Sequence, residues 1–359
     1  MELNFFDNYV LAAVVEEIVP RKGFFKDRYF PTGAGDIFAA DKVLTEYRKG
    51  DRQMAAFVAD RVGGIPLERR GYTVRELQPA KIALSRALTI DDLKKRGFGE
   101  AIMPGSTQAQ RAYQLLSEDL SDMEKRIALR EEWMCAQVMI NNSCTMQTYI
   151  DADTQGDTEY VGFYDTQASE HIYTIAQANR WDTANGDIRS DVRNMCRMLS
   201  KRGLPAADLV CGTHVADVIL RDDELRGMLE TTSNINIGSI NETLSAYEGV
   251  VYMGMINFAG FRLNVFSVDE VYVDGSGQEQ TMFPATSVMV TAPGCGHMMY
   301  GQITQIDFGS TDYTTHVASR VSKLIVDQPN DTRRLQLATR PLAAPKAYCP
   351  YIYAANAVS

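Results

Sequence analysis

The stretch from Thr107 to about Ile140 constrains the fold more than any other part of the chain. Tyr113, Leu116, Leu120, Met123, Ile127, Met134 and Val138 recur mostly in steps of three and four, which draws one apolar stripe along a helix. No proline or glycine interrupts the run, and Pro104-Gly105 followed by Ser106 and Thr107 supplies a turn and a cap. The opposite face carries Glu118, Asp119, Asp122, Glu124, Lys125, Arg126, Arg130 and Glu131, a mixture of signs expected to meet water or a polar neighbour. At about 1.5 Å per residue this helix spans roughly 50 Å, longer than a compact domain of ordinary size needs. It is a beam on which thinner elements can be laid.

A chain of 359 residues can bury a sizeable core and divide into two or more lobes. Its 45% hydrophobic and 23% charged residues are those of a soluble globular protein. No apolar run approaches membrane-spanning length, so no membrane partner is expected. Glu2 and Asp7 stand where a signal peptide would carry positive charge, which points to synthesis in the cytosol. The formal net charge of −10 argues against a surface that grips nucleic acid, because phosphate contacts need clustered Lys and Arg. It leaves room for a wall that merely encloses nucleic acid without binding it tightly, since repulsion would keep such a wall from trapping its contents.

Before the long helix the chain is rich in aromatics, with Phe5, Phe6 and Tyr9, then Phe24, Phe25, Tyr29 and Phe30, punctuated by Pro20, Gly23, Pro31, Gly33 and Gly35. Two readings stay open: an arm lying across another surface, or a segment tucked onto its own domain. Residues 52–90 read as two extended limbs, Ala55 to Val58 and Leu77 to Ile82, joined through Gly63-Gly64 and Arg69-Arg70-Gly71. This is the pattern of a long polar hairpin. Arg52, Arg61, Arg69, Arg70, Arg75, Lys81 and Arg86 make it basic within an acidic chain. With little aromatic interleaving beyond Tyr72, an acidic protein surface is the expected partner rather than nucleic acid.

After the helix, Cys144 to Tyr149 and Glu159 to Tyr164 flank a turn-rich stretch and predict a hairpin. Ile188, Val192, Met195 and Leu199 predict a shorter amphipathic helix stopped by Gly203, with Trp181 ahead of it. Asp208 to Cys211 predicts a buried strand, and Gly212-Thr213 opens a helix through Val215, Val218, Ile219 and Leu225. Strands dominate beyond Gly249. Phe261, Leu263 and Val265 alternate with polar residues, Val271 to Val273 and Thr281 to Phe283 flank the turn Asp274 to Gly277, and Ser287 to Val290, Lys323 to Val326 and Arg334 to Leu337 are extended.

Each constellation that could carry chemistry fails on spacing. Cys295 and His297 sit in Pro293-Gly-Cys-Gly-His297 and Cys211 precedes His214, but a thiolate needs a base within reach, and sequence neighbours rarely face each other. The other cysteines, Cys135, Cys144, Cys196 and Cys349, form no CxxC pair, and His171 and His316 complete no metal spacing. Pro31-Thr-Gly-Ala-Gly-Asp36 lacks the Lys-Ser/Thr ending of a phosphate loop. Asp151, Asp153 and Asp157 do not fit a calcium loop. No catalytic residue, cofactor or metal is expected, and the leaning is toward structural work.

In their order and spacing, these pieces resemble the lambda-like (major capsid protein E) branch of tailed-phage major capsid proteins, with its α+β, HK97-like fold. Phe24-Phe25 with Tyr29-Phe30 resembles the family's N-terminal arm, and Ala55 to Val58, Arg69 to Gly71 and Leu77 to Ile82 its extended E-loop. Residues 107–140 fall where the P-domain spine helix lies. Tyr272-Val-Asp-Gly275 with Phe283-Pro284 and Met289-Val290 resembles an A-domain hairpin and strand, and Arg334 to Leu342 the closing strand. The resemblance implies an arm over 1–47, an E-loop over 48–95, a P-domain over 96–180, an A-domain over 181–296 and a return to the P-domain over 297–359.

It further implies a non-enzymatic shell subunit of the virion, made in the host cytoplasm, whose hexamers and pentamers close an icosahedral head around double-stranded DNA without reading its sequence. A scaffolding protein, a portal and a decoration protein are the implied partners. Because the arm begins within a few residues of Met1, the scaffold is expected to be a separate protein. Residues 62–71, the expected loop tip, contain no lysine, so no covalent cross-link is expected there. Self-assembly is expected to use Phe24, Phe25, Phe30, Arg61, Arg69, Arg70, Arg75 and Lys81, and removal of residues 52–86 to leave a folded subunit that cannot assemble. The alternatives are a cytosolic thiol hydrolase using Cys295 or Cys211, and an encapsulin-like shell of the same fold around protein cargo.

Overall fold

The long helix runs Gln108–Asn141, 34 residues without a break. The structure, a computed structural model, describes residues 22–40, 42–47, 73–89, 108–149, 154–164, 169–222, 225, 247–258, 260–307, 310–327, 329 and 332–359. Leu116, Leu120, Met123, Ile127, Met134 and Val138 of the expected stripe are all buried. The side chain of Tyr113 and the turn at 104–107 lie outside the described residues. Asn142 closes the helix at φ 54°, a left-handed conformation that Asn tolerates better than most residues. Strand Ser143–Tyr149 follows at once and pairs antiparallel with Gln155–Gly162, the expected hairpin.

The two halves of the helix stripe meet different cores. Leu116, Leu120, Met123 and Ile127 pack on Leu324, Leu335 and Leu337, with Ile82 and Leu84 at the edge. These come from an antiparallel three-stranded sheet in which Thr332–Thr339 lies between Val321–Asp327 and Ile82–Leu88. Strand Ile82–Leu88 therefore belongs to the body, not to the projecting hairpin in which the sequence reading placed Ile82. Its alternating Ile82 and Leu84 face the spine, where a free limb would have left them in water. The base of the loop is instead the antiparallel pair Val43–Tyr47 and Thr73–Leu77, with Tyr47 opposite Thr73. A deletion of 52–86 would thus cut into the body. Ala55 to Val58 lies outside the described residues.

Farther along, Met134, Cys135, Val138 and Met139 join the largest core with Phe24, Phe25, Tyr29, Phe30, Met298, Met299 and Leu342. The last three belong to the antiparallel pair Gly296–Tyr300 and Pro341–Pro345. The glycine-rich segment before Ile37 is a turn held by Asp36, whose carboxylate accepts from Gly33 N (2.7 Å) and lies 3.0 Å from His297 Nδ1.

The second lobe is a five-stranded sheet in the order Ile352–Ala354, Val288–Thr291, Asp208–Gly212, Phe261–Val268, Val250–Phe258. The pair Asp208–Gly212 and Phe261–Val268 is parallel and the remaining pairs are antiparallel. All of Asp208–Gly212 is buried, as a strand covered on both faces must be. Leu209 and Cys211 face a core built with the helices Ile188–Lys201 and Thr213–Arg221, while Val210 faces the core shared with the spine helix. Asp187 caps the first of these helices by accepting from Ser190 N at 3.0 Å, and Gly203 at φ 80° follows its end. A Cβ on Gly212 would overlap the carbonyls of Pro284 and Ala285, so this strand-to-helix turn requires glycine. Residues 297–359 do not all return to the spine lobe as expected. Their last strand is an edge of this sheet, and Ala357 and Val358 share a core with Trp181.

Candidate assembly interface

The first helix among the described residues, Phe24–Tyr29, is the joint between the lobes. Its entry, Gly23, sits so close to Glu132 that a Cβ there would overlap the carboxylate. Glu132 accepts from Phe25 N (2.5 Å) and Lys26 N (2.8 Å), and Lys26 Nζ lies 2.6 Å from Glu131. Arg320 donates from Nε to Glu124 (2.7 Å) and from Nη1 and Nη2 to Glu131 (2.7 and 2.9 Å). On the other side of the joint, Arg28 grips Asp208 through Nε and Nη2, both at 2.7 Å, and Asn264 adds a third donor at 3.1 Å. Phe24 packs edge-on to Tyr29 at 5.4 Å and tilted against Phe266 at 5.0 Å.

This geometry changes two expectations. Glu124 and Glu131, on the helix face expected to meet water or a polar neighbour, are buried, because Arg320 and Lys26 satisfy them within the subunit. Although burial alone would raise the Glu131 carboxyl, Arg320 and Lys26 hold it below the usual range. Phe24, Phe25 and Phe30 are each 0% exposed in the subunit's own core. Of the two readings left open, and with Phe5, Phe6 and Tyr9 outside the described residues, these three aromatics follow the tucked one. Their side chains lock the joint and leave no ring surface for a sister copy, because the spine and the sheet already enclose them.

Of the basic residues, Arg61, Arg69 and Arg70 lie outside the described residues, as does the side chain of Arg75, whose backbone lies in the strand Thr73–Leu77. Lys81 is exposed, and its ammonium is pushed below its usual range by partial burial and by Arg340 and Lys323. Arg86 is an internal strut, bonded to Asp119 (2.7 Å) and Asp122 (2.6 Å) of the spine helix. Sequence reasoning missed the exposed apolar side chains. Tyr313 is 79% exposed, Tyr160 62%, Val251 62% and Val273 61%. Tyr149 and Val273 belong to two hairpins that meet, since a Cβ on Gly275 would lie 3.2 Å from the Tyr149 hydroxyl, and Trp133 lies edge-on to Tyr272 at 6.5 Å. The one available signal was the alternation in Val271 to Val273 beside a turn.

The thiols of the hydrolase reading are unfit for attack. Burial pushes the Cys295 thiol up to about 12 and the Cys211 thiol higher still, and His297 is engaged by Asp36. Among the described residues no group of His, Cys, Asp and Glu could hold a metal ion, and no helix is long and apolar enough to cross a membrane.

Residues 7–352 match the family model described as phage major capsid protein E. No curated protein matches the sequence. Among solved structures, one described as a prophage capsid protein of E. coli CFT073 superposes with a TM-score of 0.68 at 14% identity, over 97% of this chain and 98% of that one. The capsid of Ralstonia phage GP4 gives 0.55 at 13% identity, over 94% and 92%. A phage-related protein from Bordetella bronchiseptica RB50 gives 0.52 at 12% identity, over 97% of each chain. At these identities the likeness is one of fold, the HK97-like fold, here with a spine helix and a five-stranded-sheet lobe.

Proposed function

This chain belongs to the phage major capsid protein E family and is a shell subunit, and from that premise we propose that copies associate as hexamers and pentamers closing an icosahedral head around double-stranded DNA. The observation that carries this reading is the extent of the family match, 7–352, which runs through both lobes and the loop. In this assignment the spine lobe is the P-domain, the five-stranded-sheet lobe is the A-domain, and residues 48–72 are the loop that reaches a neighbour with Arg61, Arg69 and Arg70. Lys81 and Arg75 stand at the base of that loop. Single exposed ion pairs contribute about 0–1 kcal/mol, so the shell draws strength from repetition over symmetric copies.

The subunit is made in the host cytoplasm, assembles with a separate scaffolding protein and a portal, accepts a decoration protein, and encloses DNA without sequence-specific contact or membrane. It carries out no catalytic step. Negative-stain microscopy of the purified, concentrated chain with its co-expressed scaffold is expected to show closed shells of one size. Monodisperse monomers under those conditions would overturn the reading. Uniform shells from the chain alone would reject the required scaffold, and a covalent ladder on a denaturing gel of mature particles would reject the expected absence of cross-links.

A further inference from the structure

The helix Ile188–Lys201 carries Arg189, Arg193, Arg197 and Lys201, a basic residue at every fourth position along its whole length. At about 1.5 Å and 100° per residue, these side chains advance about 6 Å and turn about 40° at each step. They draw one stripe about 18 Å long. Ile188, Val192, Met195 and Leu199 face the other way, into the core of the sheet lobe. Arg189 and Arg193 stand half-buried at the border of that face, and Arg197 and Lys201 are exposed. Asp191, the helix's one acid, is turned from the stripe to the Tyr173 hydroxyl (2.8 Å) and Trp181 Nε1 (2.9 Å). Among the described residues, no carboxylate pairs with Arg193, Arg197 or Lys201.

The stripe works against the helix that bears it. Like charges four positions apart repel, and a cation in the first turn, as at Arg189, opposes the helix dipole. Lys201 alone suits its place, in the last turn. We propose that this stripe is a phosphate contact, at which the inner wall of the shell touches the backbone of packaged double-stranded DNA. The inference rests on the reading that the shell encloses DNA. A protein partner would need an apolar anchor. Met198, the apolar side chain of this helix outside its buried face, already packs against the lobe's core. What the outer side offers instead is Arg, Lys and the interleaved Ser190 and Asn194, the residue types that meet phosphate oxygens. Four cations in a chain of net charge −10 hold a duplex weakly, because the surrounding charge repels it. The strand is touched without being read or trapped.

Fluorescence anisotropy of a labelled duplex of about 30 base pairs, titrated with the full-length subunit between about 20 and 150 mM salt, tests it. Two unrelated sequences are expected to bind equally, with an affinity that falls as salt rises. Arg193→Gln, Arg197→Gln and Lys201→Gln together should flatten the log–log salt slope by about 2.7, at about 0.9 per lost contact. Arg61→Gln, Arg69→Gln and Arg70→Gln together should leave the slope unchanged. Glutamine is a good helix former, so the far-UV signal should stay. If the triple helix variant does not fold, the exposed Arg197→Gln and Lys201→Gln decide singly, each expected to flatten the slope by about 0.9. No binding by the wild type, an unchanged slope in the helix variants, or a loss confined to the loop variant would each overturn the contact. Closed shells from subunits that bind no duplex would count against the contact alone and leave the shell reading intact.

Discussion

Arg320 illustrates what one side chain contributes here. It is 10% exposed, touches Glu124 and Glu131, and lies over the Tyr300 ring at 5.7 Å. Removing one partner of a buried pair costs about 3–5 kcal/mol, because the other charge is left in a low-dielectric site. Arg320→Met is therefore expected to lower stability by that amount in urea unfolding, and Glu131→Met added to it should recover part of the loss. A double variant no better than the single would show that the charges are not the source. Glu131 is held below the usual carboxylate range, so the stability it contributes is present above its unfolded pKa and lost as pH falls through its folded value. A Cβ on Gly296 would enter the Phe30 ring and lie 2.8 Å from the Ala344 carbonyl oxygen. Gly296→Ala should cost about 1–3 kcal/mol of overpacking, measurable as a lowered Tm.

The elements differ in how plainly the sequence announces them. The spine helix is legible because Leu116 through Val138 repeat at helical spacing over many turns, and period is a local property. The helix Ile188–Lys201 and the strand pair Val321–Asp327 with Thr332–Thr339 are legible for the same reason. The buried acids were not legible, because a glutamate facing water and one facing Arg320 look alike until the chain brings together positions 189 apart. Likewise Phe24 and Phe25 could serve an arm or a core, and Asp208, 180 positions from Arg28, decides it only in three dimensions. The basic loop residues, candidates for assembly, remain a reading from charge. The Arg28–Asp208 tie fastens the first helix to the sheet, and Asp208 is 0% exposed. Arg28→Met should destabilise the subunit by about 3 kcal/mol and Arg28→Lys by less, since lysine cannot form the two-pronged contact. Equal urea midpoints for wild type and Arg28→Met would refute the tie.

At the scale of the whole molecule, Tyr47 and Thr73, between which the proposed loop 48–72 runs, face each other across an antiparallel pair. Replacing 48–72 with a two-residue Asn-Gly turn should leave the far-UV helical signal and Tm nearly unchanged while abolishing closed particles. Loss of the helical signal, or shells of normal size, would contradict this division. The edge strand Ile352–Ala354 has a different bearing. It completes a sheet whose central strand, Asp208–Gly212, leaves the ribosome well over a hundred residues earlier. Until those last residues emerge, Val288–Thr291 stays an uncovered edge and Ala357 is missing from beside Trp181. A subunit cut before Ile352 would therefore lack one edge of this sheet together with the Ala357 carbonyl that accepts from Trp181 N.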